Sequence, residues 1–335
     1  MGFSIISSKL FQRRRPAALI LMYHRIREEG SDPWEICVRE DQFRLHMEVL
    51  GRFCRVHPLS RLKEVLSDRK QDGKNVFITF DDGYLDTLEC AVPLLEKFGF
   101  PATFFIPSRN LTDAGPFWWE TVDGIFWSRD ALPGGFNLSC GREHFKKTLP
   151  AEACRRDRLL ENNWSANTAS PPTDRCRLYL ELCAWIKTLS PDEQQMITGQ
   201  LIAQAGGSSG FEEDFKKISP PWISTLAKGS FEIGAHTVHH PALGYQSDQI
   251  QRQEISLGKL QLEALTGKPV TQLAYPHGHF TDQTKAIARD CGFQLACTTA
   301  EGLVGNSTDR LALPRIWMKN ISAEAFVRQL ENLFR

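Results

Sequence analysis

The stretch that decides the fold is Val76-Phe77-Ile78-Thr79-Phe80-Asp81-Asp82-Gly83-Tyr84, where an apolar run stops at two adjacent carboxylates and a glycine. An apolar run of this length is typical of a strand that is covered on both faces of a parallel sheet. Because burying a carboxylate is costly, we expect the two aspartates where the strand emerges at the rim of a sheet or barrel. That rim is where α/β folds place their chemistry, although a solvated Asp-Asp-Gly turn would fit this stretch equally well.

A second short β-type run, at 231–236, ends in histidines, and the sequence there continues as HTVHHP. His236 and His240 are four residues apart, which in a helical turn places both imidazoles on one face. Two imidazoles and one carboxylate form a three-ligand set that leaves a position open for water, as catalytic zinc sites require. Together with the aspartate pair, the histidines therefore predict a divalent metal site.

These two segments resemble the motifs of the polysaccharide deacetylases, also called carbohydrate esterase family four. The Thr-Phe-Asp-Asp-Gly motif of that family is present without change at 79–83, and its His-Ser/Thr-x-x-His motif is matched at 236–240. The resemblance covers about 15–107 and 228–335. It implies hydrolysis of the N-acetyl amide of a sugar.

The resemblance also implies a role for each residue of the two motifs. Asp82, His236 and His240 would bind the metal, and Asp81 would be the general base that takes a proton from the metal-bound water. Zn²⁺ is the expected ion, with Co²⁺ or Ni²⁺ as alternatives, because two histidines and one aspartate accept all three.

The third motif of the family, Arg-x-Pro-Tyr/Phe-Gly, corresponds here to 274–278, which reads AYPHG. The proline and glycine of the turn are present, so a backbone N–H could face the oxyanion. Ala274 stands where the family usually has the arginine that orients the base. We expect Arg315, in the sequence LPRIW, to reach the same carboxylate from a neighbouring strand, and the alternative is a structural ion pair elsewhere.

The general acid is a second departure, because many family members carry a histidine near the C-terminus and this chain has none after His279. Three other histidines follow strand-like runs or the third motif. His277 and His279 lie in or beside that motif, and His24 ends the run 19–24. A titrating imidazole suits protonation of the leaving amine, so His277 and His24 are the candidates, against the alternative of buried structural histidines.

Strand-like runs alternate with helical stretches along the chain, which predicts an α/β fold. The runs lie at 19–24, 76–81, 102–107, 231–236, 271–276, 294–299 and 311–317. Periodicity alone leaves barrel and open sheet undecided. The resemblance favours a deformed (β/α) barrel of about seven parallel strands.

We divide the chain into a catalytic domain over 15–335, an N-terminal extension at 1–14, and a mainly helical insertion at 110–229. The insertion is too long for a simple connection, and 178–202 within it has a helical pattern. It opens with the aromatic stretches PFWWE and FW, which would form the core of the insertion or line a glycan groove. Trp118 and Trp119 are adjacent on a helix, so we expect one of them at a surface.

Charge and cysteine content limit the partners and the compartment. Forty basic residues balance forty acidic ones, so no overall field favours nucleic acid. Nine cysteines without a Cys-x-x-Cys pair are typical of a reducing compartment, which predicts a cytoplasmic protein. Apolar residues followed by three arginines within 1–15 could make peripheral contact with the inner membrane face, or could form a packed terminal helix.

The sequence thus predicts a metal-dependent deacetylase of a bacterial surface polysaccharide or glycolipid, as in exopolysaccharide biosynthesis. Its partner would be an N-acetylated glycan or a lipid-linked sugar, and no protein partner is predicted. One alternative is a deformylase or other deacylase of a lipid-linked amino sugar. Another is a catalytically silent protein that binds glycan.

Overall fold

A computed structural model of the chain describes residues 17–28, 30–68, 74–112, 115–167, 170–207 and 215–334. The N-terminal extension at 1–14 and the proposed membrane contact through 1–15 lie outside the described residues. Within the described ranges, none of the helices combines the length and the apolar character that crossing a bilayer requires.

Strands are numbered in chain order. They are β1 (Ala18–Tyr23), β2 (Arg25–Ile26), β3 (Cys37–Val38), β4 (Arg55–Val56), β5 (Asn75–Phe80), β6 (Thr103–Ile106), β7 (Gly135–Cys140), β8 (Glu143–Thr148), β9 (Glu232–Ala235), β10 (Gln272–Ala274), β11 (Leu295–Cys297) and β12 (Ile316–Trp317).

Helices are numbered in the same way. They are α1 (Glu40–Phe53), α2 (Leu62–Ser67), α3 (Val92–Phe98), α4 (Trp118–Trp127), α5 (Ala151–Cys154), α6 (Arg158–Glu161), α7 (Asp174–Thr188), α8 (Pro191–Gln204), α9 (Pro220–Lys228), α10 (Asp248–Thr266), α11 (Asp282–Asp290) and α12 (Ala323–Phe334). Short 3₁₀ turns lie at Leu59–Arg61, Ser108–Leu111, Leu243–Tyr245 and Pro276–Gly278, and a π-helical turn lies at Thr87–Ala91.

The main sheet is parallel and curls into a deformed barrel. Its strand order is β11-β10-β9-β6-β5-β1-β12, with β4 added beside β5. The segment before β12 joins the two edges, because the Thr298 N–H donates to the Leu313 carbonyl at 2.9 Å while β12 itself pairs with β1. This architecture confirms the predicted deformed (β/α) barrel of about seven parallel strands.

Helices cover the sheet from outside, and this explains the continuous apolar runs. Every residue of β1 and of β5 is buried, as a strand covered on both faces requires. Alternate side chains of these strands enter two hydrophobic clusters, since Val76 and Ile78 of β5 belong to the larger one and Phe77 belongs to the smaller one. The apolar run at 76–80 therefore reflects burial on both faces of β5.

Two helical predictions differ from the structure in detail. The stretch 178–202 is divided between α7 and α8, because Ser190 caps the second helix, accepting from the Glu193 N–H, and Pro191 occupies its first turn. The stretch 85–98 contains the π-helical turn Thr87–Ala91 just before Pro93. Proline has no N–H and its ring excludes the carbonyl four residues earlier, which accounts for the wider turn.

The insertion has a hydrophobic core of its own, formed by apolar side chains between Phe117 and Ala205. It also contains the hairpin of β7 and β8, which the helical pattern did not predict. The expectation that Trp118 or Trp119 lies at a surface is wrong, since both are buried, at 7% and 8% exposure. Helix α4 lies between the insertion core and the barrel, so both of its faces are covered.

A buried ion pair joins α4 to the segment of the insertion that pairs with the barrel beside Tyr84. The Lys217 ammonium binds Glu120 Oε1, and both side chains are 0% exposed. Glu120 Oε2 also accepts the N–H of Phe117 at 2.8 Å, which closes the start of α4. Lys217 lies 3.9 Å from the ring centroid of Tyr84, two residues after Asp82. The pair therefore connects α4 to the turn that carries the aspartates.

We predict that Lys217→Met lowers the free energy of unfolding by about 3–5 kcal/mol, because it leaves the Glu120 carboxylate buried without a counter-charge. The double variant Glu120→Gln/Lys217→Met should recover most of that loss. Urea unfolding followed by circular dichroism measures both. Arg158→Gln is the control, since its pair with Asp130 is exposed. A cost for Lys217→Met as small as that of the control would contradict the interpretation.

Candidate active site

The predicted site residues meet at one rim of the barrel. Asp81 and Asp82 follow β5, His236 follows β9, and the turn Pro276–Gly278 follows β10. Arg315 directly precedes β12. Because the carboxyl ends of parallel strands share one edge, residues far apart in sequence become neighbours there.

Asp81 is held by Arg315. The guanidinium donates to Asp81 Oδ1 at 2.8 Å and to Oδ2 at 2.7 Å, and Arg315 is 0% exposed. Its Nε donates to the Thr298 carbonyl at 2.9 Å, which fixes the plane of the group. Burial would raise the pKa of Asp81, but the charge and hydrogen bonds of Arg315 outweigh it and hold the pKa below its ordinary value. Arg315 thus makes a bidentate contact with Asp81 that the methyl side chain of Ala274 cannot make.

Asp82, His236 and His240 form a compact buried cluster with ligand atoms within 4.8 Å of one another. Asp82 Oδ1 lies 3.4 Å from His236 Nε2 and 3.2 Å from His240 Nε2, and the two Nε2 atoms are 3.0 Å apart. Ligand atoms around a tetrahedral zinc ion are about 3.3–3.5 Å apart. The residues therefore fit a divalent metal at this position.

The groups around the cluster orient the two imidazoles. His236 Nδ1 donates to the Ala274 carbonyl at 2.7 Å, so a neutral His236 keeps the lone pair of Nε2. The backbone N–H of His240 donates to Thr237 Oγ1 at 3.0 Å. Burial lowers the pKa of His240 to about 4, so its ring is neutral near pH 7. The neutral ring of His240 is the form that metal binding requires.

The site is built on strained backbone. Four of its residues have a positive φ although none is glycine: Asp82 at 71°, Thr237 at 63°, His240 at 64° and His277 at 56°. Such conformations cost of order 1–3 kcal/mol each and are frequent at functional sites. Gly258 of α10 supports the histidine turn, because a Cβ there would lie 2.7 Å from the Thr237 carbonyl oxygen. Sequence reasoning missed Gly258, whose only signal is a glycine inside a helix.

The remaining candidate histidines have different surroundings. His24 and His277 both line the cavity beside the cluster, with His24 Nδ1 and His277 Nε2 buried and unbonded within the described structure. Burial lowers the pKa of each, and for His277 the nearby His240 and Lys187 add to the effect. His279 instead stacks on Tyr245 at 4.0 Å. His239 points away and binds Glu254 Oε1 at 2.7 Å.

The cluster opens into a cavity of about 590 Å³ whose walls are largely aromatic. Trp118 and Trp119 line it from the insertion, and the ring of Trp119 lies 4.5 Å from that of His240. Trp34 and Trp317 line it from the barrel side. The aromatic start of the insertion therefore contributes to both a core and a cavity wall, whereas nothing in the sequence pattern singled out Trp34 as a wall residue.

Two comparisons of the sequence match this chain to polysaccharide deacetylases. Residues 68–126 and 197–296 match the family model described as polysaccharide deacetylase. The chain is 22% identical over 331 residues to YxkH of Bacillus subtilis (strain 168), which carries the name "Putative polysaccharide deacetylase". That match covers 98% of this chain and 81% of YxkH.

Two solved structures share the fold at low sequence identity. The deacetylase PplD of Streptococcus pyogenes, solved in complex with acetate, superposes with a TM-score of 0.58 at 18% identity, covering 94% of this chain and 98% of PplD. IcaB from Ammonifex degensii gives 0.57 at 17% identity, with 94% and 96% covered. The barrel with its insertion is therefore an architecture common to these proteins.

We predict that the protein takes up one divalent ion per chain and that Asp82→Ala or His236→Ala abolishes the uptake, because each removes one of only three ligands. Elemental analysis after equilibration with Zn²⁺ and gel filtration measures the content. His239→Gln is the matched control, since it alters a histidine of the same turn outside the cluster. Full metal content in Asp82→Ala would show that the ligand set is different.

Proposed function

We propose that this chain belongs to the polysaccharide deacetylase family and hydrolyses the N-acetyl amide of a sugar in a glycan or glycolipid. In this proposal Asp82, His236 and His240 hold a divalent metal, most simply Zn²⁺, and Asp81 is the general base. The observation that carries it is the buried Asp81–Arg315 pair beside the metal-ligand cluster, at the inner end of one cavity. A glycan-binding protein without activity has no use for an oriented base.

A divalent metal at the cluster would lower the pKa of a bound water and polarise the amide carbonyl. Asp81 remains ionised beside Arg315, and the two hydrogen bonds of that pair leave lone pairs of the carboxylate available to accept a proton from the attacking water. The turn Pro276–Gly278 brings a peptide N–H to the same rim, where it would serve the oxyanion. Asp81, His236 and the turn Pro276–Gly278 follow the ends of three different strands, β5, β9 and β10.

Two imidazoles are placed to protonate the leaving amine. His277 lies with its ring 4.6 Å from that of His240, and His24 stacks near Trp317 at 5.2 Å. Each has one ring nitrogen without a partner in the described part of the chain. His24 follows β1 and His277 follows the end of β10. Whichever of the two imidazoles faces the leaving nitrogen of a bound sugar is the acid. The kinetics of the variants His24→Gln and His277→Gln distinguish them.

The cavity walls favour a sugar as the substrate. Indole faces stack well on the apolar faces of sugar rings, and Trp34, Trp118, Trp119 and Trp317 all line the cavity. The chain's balanced charge gives no reason to expect nucleic acid. An acyl group other than acetyl, such as formyl on a lipid-linked amino sugar, remains the alternative substrate within the same chemistry. Location at the inner membrane face stays a prediction.

We predict that Asp81→Asn keeps its bound metal but loses acetate release at least a hundredfold, because the amide of asparagine cannot accept the proton. Acetate released from N-acetylhexosamine oligomers by the zinc-loaded protein is the measurement, and formate from N-formyl analogues is measured in parallel. Arg315→Lys should give an intermediate loss, since it keeps the charge without the bidentate contact. Undiminished turnover by Asp81→Asn would assign the base to another residue.

A second prediction separates the two candidate acids. The variant that removes the acid, His277→Gln or His24→Gln, should lower kcat about 10²–10⁴-fold on N-acetyl sugars. The same variant should retain most of its activity on 4-nitrophenyl acetate, whose leaving group needs no proton. The other variant serves as the control. Equal losses on amide and ester from both variants would contradict an acid role for either histidine.

A further inference from the structure

The insertion contributes one cation to the active-site cavity. Leu180, Cys183, Ala184 and Lys187 of α7 all line this cavity, and their spacing places them on one face of the helix. Lys187 is half-buried, and neither an ion pair nor a hydrogen bond joins it to the part of the chain that the structure describes. Lys187 therefore brings to the cavity wall an ammonium that has no anionic partner among the described residues.

The acidic residues of the cavity are already matched. Among the described residues that line it, the carboxylates are Asp81 and Asp82. Asp81 is neutralised by Arg315, and Asp82 lies against His236 and His240. With a divalent ion on the cluster, the cavity carries surplus positive charge, to which Lys187 adds.

The effects of Lys187 on neighbouring groups indicate where its ammonium lies. Burial lowers the pKa of the Lys187 ammonium. Lys187 in turn lowers the pKa of both His277 and His279, which places it close to the third-motif turn rather than out in solvent. Tyr245, which lines the same cavity as Lys187, is 52% exposed.

We infer that Lys187 binds an anionic oxygen on the substrate, so that the preferred substrate is an N-acetylated sugar carrying a carboxylate or a phosphate close to the acetamide. This inference rests on the proposed deacetylase function and adds a specificity determinant to it. A uronic acid and a sugar phosphate present the same chemistry to an ammonium. The aromatic walls would hold the ring while Lys187 selects the charged substituent.

The test compares one neutral N-acetyl sugar with two anionic ones. They are methyl N-acetylglucosaminide, the corresponding uronic acid and N-acetylglucosamine 1-phosphate. We expect kcat/KM for acetate release by the zinc-loaded protein to be at least tenfold higher for one of the anionic sugars than for the neutral one. Which anionic sugar is favoured distinguishes carboxylate from phosphate. Equal rates on all three would overturn the inference.

The variants then assign the preference to Lys187. Lys187→Gln should reduce the ratio of anionic to neutral kcat/KM to near one, and Lys187→Arg should preserve it. Lys147→Gln is the matched control, because Lys147 pairs with Glu181 of the same helix outside the cavity. A preference that survives in Lys187→Gln would overturn the assignment.

Equilibrium binding separates this inference from the proposed function. Calorimetric titration of the three sugars into zinc-loaded Asp81→Asn protein, with and without the Lys187→Gln change, measures binding affinity in the absence of hydrolysis. If the wild type releases acetate neither from these sugars nor from the N-acetylhexosamine oligomers, the proposed function fails, and binding alone decides on Lys187. Tighter binding of an anionic sugar that Lys187→Gln abolishes would support the inference, and equal binding of all three would overturn it.

Discussion

The ion pair between Asp81 and Arg315 is the constraint on which the site depends. A carboxylate at the end of a fully buried strand is costly unless another charge neutralises it. Arg315, separated from Asp81 by 234 positions in the chain, supplies that charge and is itself 0% exposed. It also donates to Thr79 Oγ1 at 3.1 Å, and Thr79 in turn donates to the Leu21 carbonyl at 2.8 Å. Orientation of the Asp81 carboxylate and attachment of the last strand to the first are thus achieved by the same contacts.

Much of this site could be read from the sequence because its chemical groups follow buried strands directly. Asp81, Asp82 and His236 stand within two residues of a strand end, and in a parallel barrel those ends converge. The contact of Arg315 with Asp81 was expected because Ala274 replaces the usual arginine, but the pairing of β12 with β1 that makes it possible is not shown by periodicity alone. The confirmed barrel architecture also depended on resemblance, since alternating strands and helices fit an open sheet equally well.

The walls of the cavity were harder to predict, for a physical reason. Lys187 lies on a helix whose spacing shows one shared face, but the sequence does not show what that face meets. Trp34 belongs to a loop, where no periodic pattern marks direction. Left-handed backbone at Asp82, Thr237, His240 and His277 is equally invisible, because these residue types usually adopt ordinary conformations. Such strain persists only because the surrounding packing, including Gly258 against Thr237, determines it.

The separate hydrophobic core of the insertion has a consequence for how this protein family can diversify. The groups proposed for bond cleavage all stand on the barrel, whereas Lys187, Trp118 and Trp119 stand on a unit with its own core. Sequence drift within that unit can reshape the entrance without disturbing the proton-transfer groups. Grafting the insertion of one relative onto the barrel of another is accordingly a route to hybrid enzymes with altered glycan choice, provided that the contact of Lys217 with Tyr84 at the junction is preserved.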